Sequence, residues 1–456
     1  MIPIFHQPIL TAAEMRAAED ASGETPEALM ARAGVAVAHA VDRLAANHAV
    51  LILCGPGNNG GDGYVAAARL AAMGRQVRVA AAGEPRAPAA IAARARWAGA
   101  VEPLVTAAPA PVVVDALYGT GLSRPLAQDE VAALIRLTNA AVLSIAVDLP
   151  SGVASDDGRL LGGVPAIDVT LALGAVKPSH LLQPAAARCG AVRLLELDIP
   201  IASNASVNGP EVLAPPRPDA HKFTRGMVAV VKGRMAGAAH LAAIAAMHAG
   251  AGYVALLGAT MPGVPHALVR RPLDDEALSD PRIGALVIGP GLGRDDDMRG
   301  LLHRALATDS ALVIDGDALH LVTPEQLKAR GGTMILTPHA GEFAALFGTP
   351  VASKIDAARA AAARSGATVV FKGADTVIAG PDGRVVVAGE ASGWLSTAGT
   401  GDVLAGAIAA MLSGGVSPVD AAAMGVWMHG AAARRLDTAF VADDLAHALS
   451  DVRAAR

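Results

Sequence analysis

Charge is what this 456-residue chain is short of: Asp, Glu, Lys and Arg make up 17% of it against 53% hydrophobic residues, and the net charge is −5. No basic cluster of the kind that grips nucleic acid or an anionic membrane occurs, so neither is expected as a partner. Cysteine is scarce too, with Cys54 and Cys189 the only two. That fits a reducing compartment, makes a disulfide unexpected and leaves no cysteine spacing for a metal site. No secretory leader is expected, since Glu14, Glu19 and Asp20 interrupt any apolar run near the start, and a cytoplasmic location is expected. One long stretch, Met235 to Val269, has no Asp, Glu, Lys or Arg, but Gly237, Gly250, Gly252, Gly258, Pro262, Gly263 and Pro265 break it. It reads as a buried helix and a strand rather than a membrane span.

What is present is length and alternation. A chain this long exceeds one ordinary core, so two domains are expected. Thr11 to Glu14 spells a capping box, and a second helix is expected from Pro26 to Ala46. Strands at Ala49–Cys54, Gln76–Ala81, Val112–Asp115, Val142–Asp148 and Val169–Leu173 then alternate with helices at Gly63–Met73, Ala87–Ala98 and Asp129–Asn139. Continuous Val/Ile/Leu runs between helices indicate a parallel sheet covered on both faces, an α/β fold. The pattern dies between Ala202 and Pro218, which places the boundary so that residues 1–208 form one domain and 209–456 the other. Alternation resumes with strands at Met227–Val231, Tyr253–Leu257, Ala285–Ile288, Ala311–Asp315, Met334–Thr337 and Thr368–Lys372. Val377–Ala379 and Arg384–Ala388, flanking Gly380-Pro381-Asp382-Gly383, predict a hairpin.

In the first half, Gly55-Pro56-Gly57-Asn58-Asn59-Gly60-Gly61-Asp62-Gly63 follows a strand and precedes a helix, a setting that can cradle a pyrophosphate. The doubled Asn and Asp62 exceed a simple dinucleotide fingerprint, and amide oxygens suit either a cation or a polar ligand. Asp115 ends one strand and leads into Gly119-Thr120-Gly121-Leu122. Asp148 ends another and leads into Pro150-Ser151-Gly152. Ligands of open α/β sheets bind beyond the carboxyl ends of strands, so Asn59, Asp115 and Asp148 point to one crevice. Each Asp taken alone reads more readily as a turn-former; three such strand ends together, each with glycines, reverse that preference.

In the second half the most informative run is Gly399-Thr400-Gly401-Asp402, a small-residue turn feeding an apolar helix from Val403 to Leu412. Free N–H groups at such a helix start can hold a phosphate, and Asp402 beside them can take a proton from a hydroxyl that attacks phosphorus. An ordinary helix start with Asp402 as N-cap would use the same letters. Five further strand-end loops share the polar, glycine-bearing character: Lys232 to Ala238, Gly289 to Gly293, Asp315 to Leu319, Thr337 to Glu342, and Lys372 to Thr376. Together they describe one ligand crevice.

The strings Gly55–Gly63, Val114–Leu122 and Val147–Gly152 resemble the N-terminal domain of the bacterial YjeF family, the NAD(P)HX epimerases, which have a Rossmann-like three-layer fold. The resemblance implies that Asn58, Asn59, Gly60, Gly61 and Asp62 bind the hydrated nucleotide. It also implies that K+ is held at Asn59, Asp115 and Ser151, and that Asp148 and the loop Gly119, Thr120, Gly121, Leu122, Ser123, Arg124 and Pro125 contact substrate. Lys177 matches a lysine common near that family's site, though an exposed strand-end lysine would look the same. The implied reaction interconverts the R and S hydrates, with Asp148 or Lys177 handling the proton.

The second half resembles the ribokinase-like superfamily, another three-layer α/β fold, and within it the ADP- or ATP-dependent NAD(P)HX dehydratases. The resemblance implies that Ala238, Gly293, His339 and Asp402 contact the hydrate. It implies that Lys372, Gly373, Ala374, Asp375, Thr376, Gly399, Thr400 and Gly401 take the adenine nucleotide. It implies Mg2+, ADP rather than ATP, substrates NADHX and NADPHX, and self-association into a homo-oligomer. The chain departs from the family before Gly237: Lys232-Gly233-Arg234-Met235-Ala236 lacks the usual aromatic, which puts the cover over the substrate in doubt. A rival reading keeps the second half as a small-alcohol kinase of the hydroxymethylpyrimidine type and the first as a non-catalytic binding module.

Overall fold

The structure is a computed structural model, which describes residues 1–454 apart from 212, 214, 260–262, 264, 352 and 390. Pro262, one of the expected helix breakers, therefore lies outside the described residues. Its contacts divide the chain into Met1–Val207 and Asn208–Arg456. Among the described residues no helix is long and apolar enough to cross a membrane.

The first unit opens on the predicted capping box: Glu14 N donates to Thr11 Oγ1 and Thr11 N to Glu14 Oε2, starting the helix Ala12–Ala21. Helix Pro26–Leu44 follows, with Thr25 as cap and proline in its first turn. The strands are β1 (Val50–Cys54), β2 (Val77–Ala81), β3 (Val101–Pro103), β4 (Val112–Ala116), β5 (Leu143–Val147), β6 (Val169–Leu173) and β7 (Ala191–Leu195). They pair in parallel in the order β3-β2-β1-β4-β5-β6-β7. The chain reverses its winding between β1 and β4, where Leu53 sits level with Asp115. That switch point opens a crevice beyond the strands' carboxyl ends. Alternation along β1 divides the core. Val50, Ile52 and Cys54 join the apolar faces of helices Pro26–Leu44 and Asn58–Ala72. Leu51 and Leu53 pack with Leu134 and Leu137 of helix Gln128–Ala140 on the other face.

The helix after β1 starts at Asn58, five residues before the expected Gly63. Its glycines serve contact rather than loop freedom. A Cβ on Gly60 would overlap the Gly55 carbonyl, one on Gly61 would stand 2.5 Å from Met30 Cε, and one on Gly63 2.8 Å from Ala116 Cβ. β7 and the three-residue β3 and β8 (Ala205–Val207), the last pairing with the segment around Pro8, were not expected.

The second unit contributes β9 (Met227–Val231), β10 (Tyr253–Leu257), β11 (Val269–Arg271), β12 (Ala285–Ile288), β13 (Leu312–Ile314), β14 (Met334–Leu336), β15 (Thr368–Phe371), β16 (Thr376–Ala379) and β17 (Val385–Ala388). Within this unit they run β11-β10-β9-β12-β13-β14-β15-β16-β17, parallel up to β15. β16 and β17 are antiparallel and form the predicted hairpin around Gly380–Gly383. Val228, Val230, Val287 and Val313 share a core with helices Ala236–His248, Thr400–Ser413, Pro418–Leu436 and Ala442–Ala454. Residues of the other parity, such as Ala229, Leu286 and Leu312, are fully buried as well, so the sheet is covered on both faces. Helices Ala236–His248 and Thr400–Ser413 touch backbone to backbone: a Cβ on Gly406 would overlap the Ala242 carbonyl and stand 3.0 Å from Ala245 Cβ.

Candidate functional site

In the first unit a cavity of about 680 Å³ opens at the switch point. Of the residues picked out by sequence, Asn58, Asn59, Asp62, Gly119 to Arg124, Asp148 and Lys177 line it. Gly60, Gly61 and Pro125 are not in its wall. The first two are used up in packing, as described above. A Cβ on Gly119 would stand 3.2 Å from Asp148 Oδ2 and 3.3 Å from Asn59 Oδ1, so glycine keeps open the space between these two side chains.

Asp115 and Ser151 lie beneath. Asp115 is fully buried; its Oδ1 accepts from Ser151 Oγ at 2.7 Å and Leu117 N at 3.1 Å, and its Oδ2 from Ser151 N at 2.8 Å. Burial pushes its carboxyl up, and those hydrogen bonds pull it back part of the way. Asn59 Nδ2 is buried with no hydrogen-bond partner.

Asp148 caps β5 in the left-handed region, with φ 66°. Its Oδ1 accepts from Lys177 Nζ at 2.6 Å and Leu173 N at 3.3 Å. Lys177 is 1% exposed and also donates to Leu173 O at 2.6 Å, so it is no surface lysine. Asp62 is held well above the usual carboxylate range by burial, with Asp148 and Glu19 adding to the effect. Glu19, from the first helix, is itself raised by burial and reaches the same cavity. Sequence reading passed over Glu19 and the buried His180, because their places depend on contacts far along the chain.

In the second unit the loops after β9, β12, β13, β14 and β15 leave one end of the parallel sheet, together with the start of helix Thr400–Ser413. Gly399 is that helix's N-cap, with φ 88°, and Asp402 stands three residues in, so Asp402 is not the cap. Its carboxyl is pushed up to about 7: burial dominates, Asp315 and Glu342 add to it, and Lys372 pulls the other way. Lys372 is mostly buried, 2.8 Å from Asp315 Oδ1 and 3.9 Å from Glu342 Oε2. Burial lowers its ammonium value, but the two carboxylates more than offset that, leaving it raised. Thr337 Oγ1 donates to Asp315 Oδ1 at 2.7 Å. A Cβ on Gly401 would stand 3.3 Å from Lys372 Nζ, so glycine leaves the space beside the ammonium free.

Gly293, at φ 93°, donates its N–H to Asp317 Oδ2 at 2.9 Å. Ala238 lies in the first turn of its helix and is half-buried. His339 is exposed, and its Nδ1 accepts from Gly341 N at 3.0 Å and Glu342 N at 3.2 Å, so its ring caps the next helix and leaves Nε2 toward Glu342 Oε1 at 3.3 Å. In the Lys372–Thr376 loop, Thr376 Oγ1 bonds back to Gly373 O at 2.8 Å. Lys354, which sequence reading missed, donates to Asp375 Oδ1 at 2.6 Å over the Phe371 ring.

Residues 228–454 match the family described as NAD(P)H-hydrate dehydratase, and residues 26–179 match the YjeF-related protein N-terminus. The chain is similar to the bifunctional NAD(P)H-hydrate repair enzyme Nnr of Thermofilum pendens, 37% identical over 91% of this chain and 89% of that one. The enzyme of the same name from Escherichia coli is 35% identical over 93% and 88%, and that of Salinibacter ruber 33% over 98% and 96%. A solved structure of the ADP/ATP-dependent NAD(P)H-hydrate dehydratase of Bacillus subtilis, co-crystallised with ATP/Mg2+, is 31% identical, covering 53% of this chain and 93% of that chain, with a TM-score of 0.48. Relatives that span both halves under one name favour the repair reading over a small-alcohol kinase joined to a binding module.

Proposed function

We propose a division of labour from one premise: the chain belongs to the family of bifunctional NAD(P)H-hydrate repair enzymes. It repairs hydrated nicotinamide cofactors by epimerising the hydrate and dehydrating it. The first unit takes the hydrate in the cavity lined by Asn58, Asn59, Asp62, Gly119 to Arg124, Asp148 and Lys177. The Asp148–Lys177 pair handles the proton as the R and S forms interconvert. The second unit takes the S hydrate near Ala238, Gly293, His339 and Asp402, and the nucleotide along Lys372–Thr376 and Gly399–Gly401.

Asp402 carries this reading. A carboxyl held at about 7 at a helix start, beside Lys372, is suited to take a proton near neutral pH. The hydrate's hydroxyl gives its proton to Asp402 and bonds to the terminal phosphorus of ADP, and the bond from that phosphorus to the bridging oxygen breaks to release AMP. The amides of Gly399–Gly401 and the Lys372 ammonium face the phosphoryl charge. The ring nitrogen's lone pair then expels phosphate from carbon six, and loss of a proton from the neighbouring ring carbon restores the double bond, giving NAD(P)H and phosphate.

Mg2+ would come with the nucleotide's phosphates, where it would offset their charge; among the described residues no group of three or more His, Cys, Asp and Glu forms a ready centre. For K+ the first unit's donors fit by type: a buried carboxylate with no basic partner among the described residues, a hydroxyl, and the amide oxygen of Asn59. Asn59, Asp115 and Ser151 would hold the ion, which would supply positive charge beside the nucleotide loop. Asn59→Ala should therefore lower epimerisation and its K+ activation by about ten- to a hundredfold. An unchanged response to K+ titration would remove Asn59 from the ion's ligands.

The pH dependence follows from the raised carboxyl. As a base Asp402 must be ionised, so kcat/KM for dehydration should climb with pH through a limb near 7. A profile flat across about pH 6 to 8 would contradict that role. The overall assignment is tested with an R/S mixture of NADHX, ADP, Mg2+ and K+. Full return of NADH absorbance is expected. Return of the S fraction alone would reduce the first unit to a binding module, and no return with ADP or ATP would overturn the dehydratase assignment.

A further inference from the structure

His180 stands out among the buried titratable groups that the proposed chemistry leaves unused. It is 3% exposed, and both ring nitrogens are engaged with the two residues proposed to move the proton. Nδ1 lies 2.9 Å from Lys177 N, and Nε2 lies 2.7 Å from Asp148 O. Each contact fixes one end of the ring. Lys177 N is a donor, so Nδ1 must accept; Asp148 O is an acceptor, so Nε2 must carry the hydrogen. The ring is therefore held neutral in one tautomer, and burial together with the neighbouring Lys177 pushes its own value down to about 4, with Asp148 opposing.

Asp148 needs such a hold. It adopts φ 66°, which costs a non-glycine residue free energy and persists only where the surroundings impose it. Asp148 N donates to Leu171 O at 2.8 Å, fixing one side of the peptide, and His180 fixes the carbonyl on the other. The same ring holds the main chain of Lys177, whose ammonium meets the Asp148 carboxylate at 2.6 Å. One imidazole thus ties the acid and the base of the pair to each other through both backbones.

We infer that His180 is a positioning residue for epimerisation: its neutral Nε2–H tautomer sets the strained Asp148 turn and the reach of Lys177, without touching substrate. This rests on the assignment of Asp148 and Lys177 above. The test uses the full-length chain, where dehydration of the S hydrate by the other unit reports how much chain is in the sample and the first unit's own melting transition reports its folding. His180→Leu should lower kcat for epimerisation by about a hundredfold with KM little changed, while dehydration keeps its rate; His180→Gln, which can restore the donor to Asp148 O, should recover part of the loss. Nitrogen-15 NMR of histidine-labelled wild-type protein should show an Nε2–H ring that does not titrate between about pH 5.5 and 8. An epimerase kcat within about twofold of wild type in His180→Leu would overturn the inference, and so would a ring that protonates in that range. Asp148→Asn, run in parallel, separates the two failures. If it keeps full epimerase activity, the site assignment itself falls; if it is inactive while His180→Leu is not, only the role of His180 falls.

Discussion

Asp402→Asn should lower kcat for dehydration by about a thousandfold while epimerisation proceeds at its wild-type rate. The same variant should also be more heat-stable near neutral pH, and the sign follows from the shift. The folded state holds this carboxyl at about 7 against an ordinary 3.8, so the folded chain binds a proton that the unfolded chain has released. Its stabilising contribution is complete below the ordinary value and is lost as pH rises through about 7. Asparagine carries no such charge, so the melting temperatures of variant and wild type should separate as pH climbs from about 4 to about 7 and hold a constant gap above that. A variant that loses activity without gaining stability at pH 8 would mean that the buried carboxylate is compensated in the folded state by the Lys372 ammonium. Loss of both activities would end the two-site account.

Lys177→Met should be the most destabilising of the single changes in the first unit. Removing one member of a buried pair strands the other charge, at a cost of about 3–5 kcal/mol. For a unit of this size that lowers its melting temperature by about 10 °C. Epimerisation should fall at least about a hundredfold. The double variant Asp148→Asn, Lys177→Met removes both charges and should regain most of the stability but none of the activity, which separates charge compensation from chemistry. A Lys177→Met chain as stable as wild type would show that water or a cation reaches Asp148.

The strand-end carboxylates were legible because each ends an apolar run and is followed by glycines, as in Val112–Asp115 and Ile145–Asp148. Strand pairing then brings Asp115 level with Leu53, which no local pattern states. The environment of Lys177 was illegible for the same reason: its burial depends on the pairing of β6 with its neighbours and on an aspartate 29 residues earlier. His180 reaches back 32 residues to Asp148, and Glu19 comes from the first helix, so neither belongs to a motif. The glycines at Gly60 and Gly61 read as a loop, yet they are helical, because close packing uses the same residue as a turn does. His339 shows the converse: a residue matched to substrate contact spends one nitrogen on capping its own helix.

The contact between Gly406 and Ala242 gives the chain's plain composition a purpose. Asp402 lies one turn before Gly406 on the same helix, and among the described residues its side chain makes no hydrogen bond that anchors it; its place follows from how thin the seam below it is. Glycine and alanine there act as a shim whose thickness is a single methyl group. The mouth of the site can drift in sequence, since solvent absorbs the change, but this seam has no slack to absorb one. Interior residues that look interchangeable by hydropathy therefore set the tolerance to which the acid is machined, and directed evolution of this domain should find its narrowest freedom in a stretch that contains no functional group at all.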